Sequence, residues 1–474
     1  MHPSYRLLVL LAAAGPLAGC ATKAPPTRAE IHDLSGTLTN LGLAGPWKAA
    51  AVSTNAIQDD WLASFNDAQL QALVAEAMTN NPDLRVSAPR VALAGQYVEL
   101  AKAALRPAVN LLGVGGFNLG GGDLNSALQG VSLGASWEPD LWGRLRYERN
   151  AAQAAHASAQ ADFEFSRQSL AATVARSWFV ASETWLQLQI SGEMVQAGQE
   201  LVRLAENRRQ VGVGTDQDVA LAQANLGNLR DAETQVRLAH GQAVRALELL
   251  LGRYPATELQ ARRDLTALPG PIPVGLPLEM LERRPDLVAA ERRVAAAFHR
   301  VGEAKAARLP RVILNANVSA LRSDILQLKE DFENPAAGAG ARLIAPIYQG
   351  GALNTQVEIR TIEQQQAVAE YARLALRALG DVENLLDAGQ NLEDREAFLR
   401  QVQSSQALAL SHAETSRRIG RGDQRAVKQQ QLNLDAARLT LLRVQSEHLS
   451  QRVNLHLALG GSFEDAPPPP EPEE

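Results

Sequence analysis

Two kinds of periodicity run along this chain. Near residue 131, Val131, Leu133, Ala135 and Trp137 alternate with Ser132, Gly134 and Ser136; near residue 312, Val312, Leu314, Ala316 and Val318 are interleaved with Asn315, Asn317 and Ser319. A period of two, with one apolar face and one small or polar face, predicts half-buried strands. The Gly-rich residues 113–123 and the stretch 321–340 read as connections between paired strands. That predicts two strands in each half of the chain and four in all.

The rest is helical in pattern. Residues 82–107 and 285–310 each open with Pro-Asp and stop at Pro. Proline in the first turn, followed by an acid, suits a helix start. Residues 144–210 hold no Pro, and only Gly192 and Gly198 punctuate them; residues 351–419 repeat the tract. Unbroken, each helix would be on the order of 100 Å long at 1.5 Å per residue. Each tract ends in a Gly-containing turn, residues 211–216 or 419–424, and a returning helix runs on to Gly252 or Gly460. The Gly pairs fit a sharp reversal, since Gly accepts positive φ without strain. In the returning helices the apolar stripe is narrow and rich in Ala. Gln, Asn, Arg and Asp fill the other faces, which fits coiled-coil packing with much of each helix wet.

The chain is written twice. Residues 82–107 and 285–310 are identical at 13 of 26 positions, with Pro82, Lys102 and Pro107 matching Pro285, Lys305 and Pro310. Gly212, Gly214, Val219 and Leu251-Gly252 then match Gly420, Gly422, Val427 and Leu459-Gly460. The period is far longer than a solenoid repeat, so this is a domain-scale duplication with two halves side by side.

Composition narrows the function. The chain has 474 residues, 46% hydrophobic but only 4% aromatic, so Ala and Leu supply much of the apolar fraction. A net charge of -6 and scattered Lys and Arg argue against a nucleic-acid surface. The eight His are dispersed and none stands at metal-ligand spacing; no phosphate-cradling motif precedes a helix, so neither an enzyme nor a cofactor is expected. The single Cys, Cys20, cannot make an internal disulfide. It follows a basic residue, Arg6, an apolar run and Leu17-Ala18-Gly19. That ending resembles a bacterial lipoprotein signal, in which the Cys becomes the lipidated first residue. Ala21 after it implies, by that resemblance, sorting to the outer membrane. Beyond residue 20 no stretch reaches the roughly 18 apolar residues of a spanning helix, so any crossing must be a closed barrel of strands. Four strands cannot close one, but three chains would bring twelve. The sequence itself supplies the four and not the three.

Residues 61–84, 137–146, 208–226, 281–294, 346–351 and 457–461 resemble the TolC-like outer-membrane efflux factor family, in its lipoprotein branch serving resistance-nodulation-division pumps. The resemblance covers roughly residues 45 to 463. It implies an α+β membrane protein: a homotrimer with a 12-stranded outer-membrane β-barrel continued by a long periplasmic α-helical barrel. The chain then divides into a signal peptide (1–20), an N-terminal extended segment (21–60), a first repeat (61–252), a linker (253–276), a second repeat (277–463) and a Pro-rich acidic tail (464–474). Cys20 would carry S-diacylglycerol and N-palmitoyl groups and sit in outer-membrane lipid. The implied function is a passive exit duct for small toxic compounds or drugs, fed by an inner-membrane pump through a periplasmic adaptor. Two alternatives stand beside it: the conduit of a type I protein secretion system, and a non-channel coiled-coil lipoprotein.

By the same resemblance the two Gly turns are periplasmic tips that meet the adaptor, through Gly212, Gly214, Thr215, Gly420, Gly422 and Asp423. Thr215 and Asp218 have a second reading as helix caps. The second tip departs from the family pattern: Ala426 replaces Asp218, and Arg417 and Arg418 stand where an aromatic is common. Asp218 with Arg417 or Arg418 is the candidate link holding neighbouring tips shut; a solvated role is the alternative. Trp142 and Tyr348 mark either the strand-to-helix junction and membrane interface or core packing.

Overall fold

The structure, a computed structural model, describes residues 22–38, 45–49, 57, 59–115, 129–260, 264–322 and 335–464. Cys20, the leader, most of both strand connections and the tail beyond Glu464 lie outside the described residues. The elements are α1 (Arg28–Ser35), α2 (Ala68–Asn80), α3 (Pro82–Ala103), β1 (Ala108–Val114), β2 (Gln129–Trp137), α4 (Arg144–Gln210), α5 (Asp216–Leu250), α6 (Pro277–Arg283), α7 (Pro285–Ala306), β3 (Arg311–Arg322), β4 (Ala336–Ile344), α8 (Ala352–Arg418) and α9 (Gln424–Leu459). The duplication is visible in the lengths: α3 and α7 have 22 residues each, α4 and α8 67 each. Gly192 and Gly198 leave α4 unbroken.

The four strands form one antiparallel sheet in the order β1-β2-β3-β4. Its register gathers the apolar positions: Leu133 lies opposite Leu111 and Val318, and Trp137 opposite Leu314. Asn110, Gly134, Asn317 and Gly338 line up on the other face. Val109, Leu111, Leu133, Val318 and Leu343 are all exposed in the single chain. β4 begins inside the stretch expected to be a connection, and Gly113 belongs to β1. Ala and Gly dominate β4, so its alternation carries almost no polarity signal.

The segment expected to be extended, 21–60, contains helix α1. Thr27 and Glu30 form a reciprocal capping box there, and Gly36 (φ 64°) ends the helix. The Thr-x-x-Glu spacing was readable in the sequence.

The chain forms two compact units, and each takes segments from both repeats. The first comprises residues 1–41, 89–161 and 288–373. It holds the sheet, most of α3, all but the first residues of α7 and the first turns of α4 and α8. Its N-terminal strap is tied down along its length. Thr22 Oγ1 accepts from Asn150, and the Lys23 amide donates to the Tyr147 hydroxyl at 3.0 Å. Arg28 pairs with Glu291 on α7 at 2.7 Å, and His32 is hydrogen-bonded to Tyr371 on α8. Trp142 and Tyr348, for which junction and core packing are both open from the sequence, are exposed in the single chain; Trp142 donates to the Pro310 carbonyl at 2.6 Å.

The second unit comprises residues 42–88, 162–287 and 374–474. Its core is built around Trp178 and Phe179 of α4, with Leu70, Leu73 and Val74 of α2, Val244 and Leu247 of α5, and Leu449 and Val453 of α9. Asp67 caps α2 and also accepts from Trp178 Nε1 and the Thr266 hydroxyl, both at 3.0 Å. His456 stacks on Trp61 at 5.8 Å, and neither ring nitrogen has a hydrogen-bond partner. Burial, aided by nearby Arg452, pushes its pKa down to about 3. Because that value lies below the unfolded one, the unfolded chain takes up a proton first as pH falls. Stability is full above about pH 6.5 and declines from there toward 3. Between about pH 7.5 and pH 5, wild type is expected to lose about 2 kcal/mol more than His456→Phe. Denaturation midpoints measured at both pH values check this, and equal losses would remove His456 as the cause.

Candidate functional site: the two helical tips

Each long helix reverses into its returning helix through a short turn, and the two turns have the same backbone. In the first, Gly212 takes φ 77°, and the amides of Val213 and Gly214 both donate to the Arg208 carbonyl at 3.0 and 2.9 Å. In the second, Gly420 takes φ 74°, and the Arg421 amide donates to the Ser416 carbonyl at 2.8 Å. Positive φ is costly for any residue with a Cβ, which accounts for Gly212 and Gly420. Gly214 and Gly422 are needed for a different reason. A Cβ on Gly214 would stand 3.0 Å from the Arg209 nitrogen, and one on Gly422 2.9 Å from the Arg417 nitrogen.

The starts of the returning helices are capped differently. Thr215 and Asp218 form a capping box: the Asp218 amide donates to the Thr215 hydroxyl at 3.1 Å, and the Thr215 amide to the Asp218 carboxylate at 3.0 Å. That amide bond, then the Thr215 hydroxyl, holds the Asp218 carboxyl below its ordinary range, with Arg425 and Arg208 adding to the effect. At the second tip Asp423 caps α9 alone, accepting from the Arg425 amide at 3.0 Å.

Among the described residues of one chain, Arg208 and Asp423 form an ion pair between the tips, at 3.7 Å. Both groups are about half exposed, so the pair is worth about 0–1 kcal/mol. Arg209 pairs with Asp216 inside the first tip at 3.2 Å. Asp423 stands where the first tip has Thr215, and that exchange in the sequence is the signal that an acid is present to meet Arg208. The single chain does not bring Asp218 to Arg417 or Arg418: Asp218 is engaged by Thr215, and Arg418 donates to Thr415 in its own helix. Val211, Val213 and Ile419 are more than half exposed. Beside the tips lies a groove of about 840 Å³ whose lining includes Asp218, Asn225, Asp423, Arg425 and Gln429. Among the described residues no cluster of His, Cys, Asp and Glu could hold a metal, and no helix is long and apolar enough to cross a membrane.

The profile of the family described as outer membrane efflux protein matches residues 73–253 and 276–461. The chain belongs to that family. Among its relatives, the "Cation efflux system protein CusC" of Escherichia coli O6:H1 is 29% identical, over 85% of this chain and 88% of its own length. The "Pyoverdine export outer membrane protein OpmQ" of Pseudomonas aeruginosa is 30% identical, over 89% and 92%. A solved structure of CusC, described in terms of folding and transmembrane channel formation, superposes with a TM-score of 0.75 at 26% identity, over 88% of this chain and 98% of that one.

Family membership explains the bare sheet. Three copies of the four-stranded sheet give twelve strands in the outer membrane, and the long helices make the periplasmic part. A closed barrel has no unpaired edge, and its apolar face meets lipid. The exposed Val109, Leu111, Leu133, Val318 and Leu343 share that face.

Proposed function

We infer that this chain is the exit duct of a tripartite efflux system. A resistance-nodulation-division pump in the inner membrane supplies small toxic compounds, and a periplasmic adaptor joins the pump to the tips. The observation that carries this is the pair of matched turns: the same costly Gly geometry closes both long hairpins, within a chain of the outer membrane efflux protein family. Relatives are named for cations, pyoverdine and toluene, a range that supports a passive duct with selection made mainly at the pump. The test is a photo-crosslinker at Gln210 or Gln424 in the native host. Capture of an adaptor and a proton-driven pump is expected. Capture of an ABC transporter with a secreted protein would move the function to secretion.

Asp218 remains the candidate gate residue toward Arg417 or Arg418 of a neighbouring copy. An exposed link of that kind is weak, about 0–1 kcal/mol, which suits a gate that a partner must open. Asp218→Arg is expected to raise the conductance of the resting channel in a bilayer. Unchanged conductance would remove Asp218 from the gate.

The anchor reading rests on Cys20. Supporting it, Thr22 and Lys23 are held against Asn150 and Tyr147 in the first turns of α4, the helix that follows strand β2. Wild type is expected to incorporate labelled palmitate and Cys20→Ala to lose it; label retained in the variant would refute the site.

A further inference from the structure

The duplicated tips share a fold and differ in charge. At equivalent positions Arg418 stands for Gln210, Arg421 for Val213 and Arg425 for Gln217; Gln424 replaces Asp216 and Ala426 replaces Asp218. Residues 207–218 therefore carry two Arg and two Asp, while residues 415–425 carry four Arg and one Asp. The second tip is net +3 in a chain whose net charge is -6.

Folding does not explain this excess. The first tip makes the same turn with Gln, Val and Gln at those places. Arg417 and Arg418, in the last turn of α8, complement the helix dipole just as Arg208 and Arg209 do in α4. Arg425 is in the first turn of α9, where a cation opposes the dipole, and no acid in that turn offsets it. Within one chain the cations are not neutralised. Asp216 is taken by Arg209, Asp423 by Arg208, and Asp218 by the Thr215 cap. Among the described residues, Arg417, Arg418, Arg421 and Arg425 are in no ion pair within 4.0 Å; Asp218 feels the charge of Arg425 without pairing with it.

We propose that the second tip makes the periplasmic mouth of the channel an anion-selective entrance, with Arg418, Arg421 and Arg425 as the selectivity residues. This rests on the reading of the tips as the mouth of a trimeric duct. Three copies bring three such tips to one opening, and a one-signed ring at a constriction enriches the opposite ion and excludes its own. The solutes favoured would be small carboxylates, phosphates and other anions.

The test uses the full chain reconstituted in planar bilayers under a potassium chloride gradient. Wild type is expected to pass chloride several-fold better than potassium. The preference should be strongest near 0.01 M salt, where the screening length is about 30 Å, and fade toward 1 M, where it is about 3 Å. The triple variant Arg418→Gln, Arg421→Val, Arg425→Gln copies the first tip, so its turn has a working precedent in the same chain. It is expected to bring the permeability ratio close to one. In the opposite sense, Gln210→Arg with Val213→Arg is expected to raise the anion preference. Channels that conduct but prefer potassium, or a ratio unmoved by both variants, would overturn the proposal and leave the duct standing. A trimer that passes no current at all would overturn the duct reading, and this proposal with it.

Discussion

Trp178→Ala is expected to destabilise the chain by about 3–5 kcal/mol, the range for removing a large aromatic from a closed core. Trp178 is fully buried and sits among residues from α2, α5 and α9, so no neighbour can collapse into the space without moving a helix. The loss has two parts, and a second variant separates them. Trp178→Phe keeps most of the ring but removes the donor to Asp67. Asp67 retains Thr266 and the amides of Gln69 and Leu70, so this change should cost about 1–3 kcal/mol, the range for one lost partner of a buried polar group. Thermal melts in detergent, followed by circular dichroism, should rank wild type above Phe and Phe above Ala. If Ala melts no lower than Phe, the cavity is not the dominant part.

The second large effect is expected at Gly460. This residue ends α9 with φ 75°, and a Cβ there would lie 2.9 Å from the backbone nitrogen of Arg284. Gly252 makes the equivalent contact in the first repeat: φ is 71°, and the Asn80 carbonyl oxygen would be 2.7 Å away. In both repeats, then, the end of a returning helix rests on the backbone just before the Pro that opens α3 or α7. Gly420 supplies the control. Its φ is 74°, but nothing lies within 4 Å of its Cβ position. Gly420→Ala should therefore cost only the left-handed strain, about 1–2 kcal/mol. Gly460→Ala adds the overlap with a backbone that cannot yield, for about 2–5 kcal/mol in all. Equal melting temperatures for the two variants would mean that the Arg284 backbone yields to the added methyl group.

Much of this fold was legible because duplication checks each assignment twice. Residues 144–210 had no breaker to stop them, and their partner at 352–418 repeats the length. β2 was legible from Val131, Leu133 and Trp137; β4 was not, because Ala337, Ala339 and Ala341 contrast too little with Gly338 and Gly340 for a period to register. Helix α1 is hard to read from the sequence although Thr27 and Glu30 spell its cap, since eight residues show little periodicity. At the tips, the Gly positions followed from backbone chemistry alone. The pairing of Arg208 with Asp423 joins side chains from different repeats, and no local pattern encodes which of several arginines an acid will meet.

The interleaving of the repeats also governs when this chain can fold. β1 with β2, and β3 with β4, are local hairpins, but the seam between them pairs Trp137 with Leu314. The Ser462 amide closes on Asp59 across 403 residues. Lengthening a loop costs little stability, about 0.6 kcal/mol per doubling, but it slows the search for the contact. A chain emerging from the secretion machinery N-terminus first can make its first hairpin and little of either core. Trp61 and Trp178 wait for Leu449, Val453 and Phe463, nearly the last described residues of the chain. Until then their apolar surfaces stand open in the periplasm, the condition that holdase chaperones serve. Assembly of the duct is thus a terminal event, gated by completion of the polypeptide.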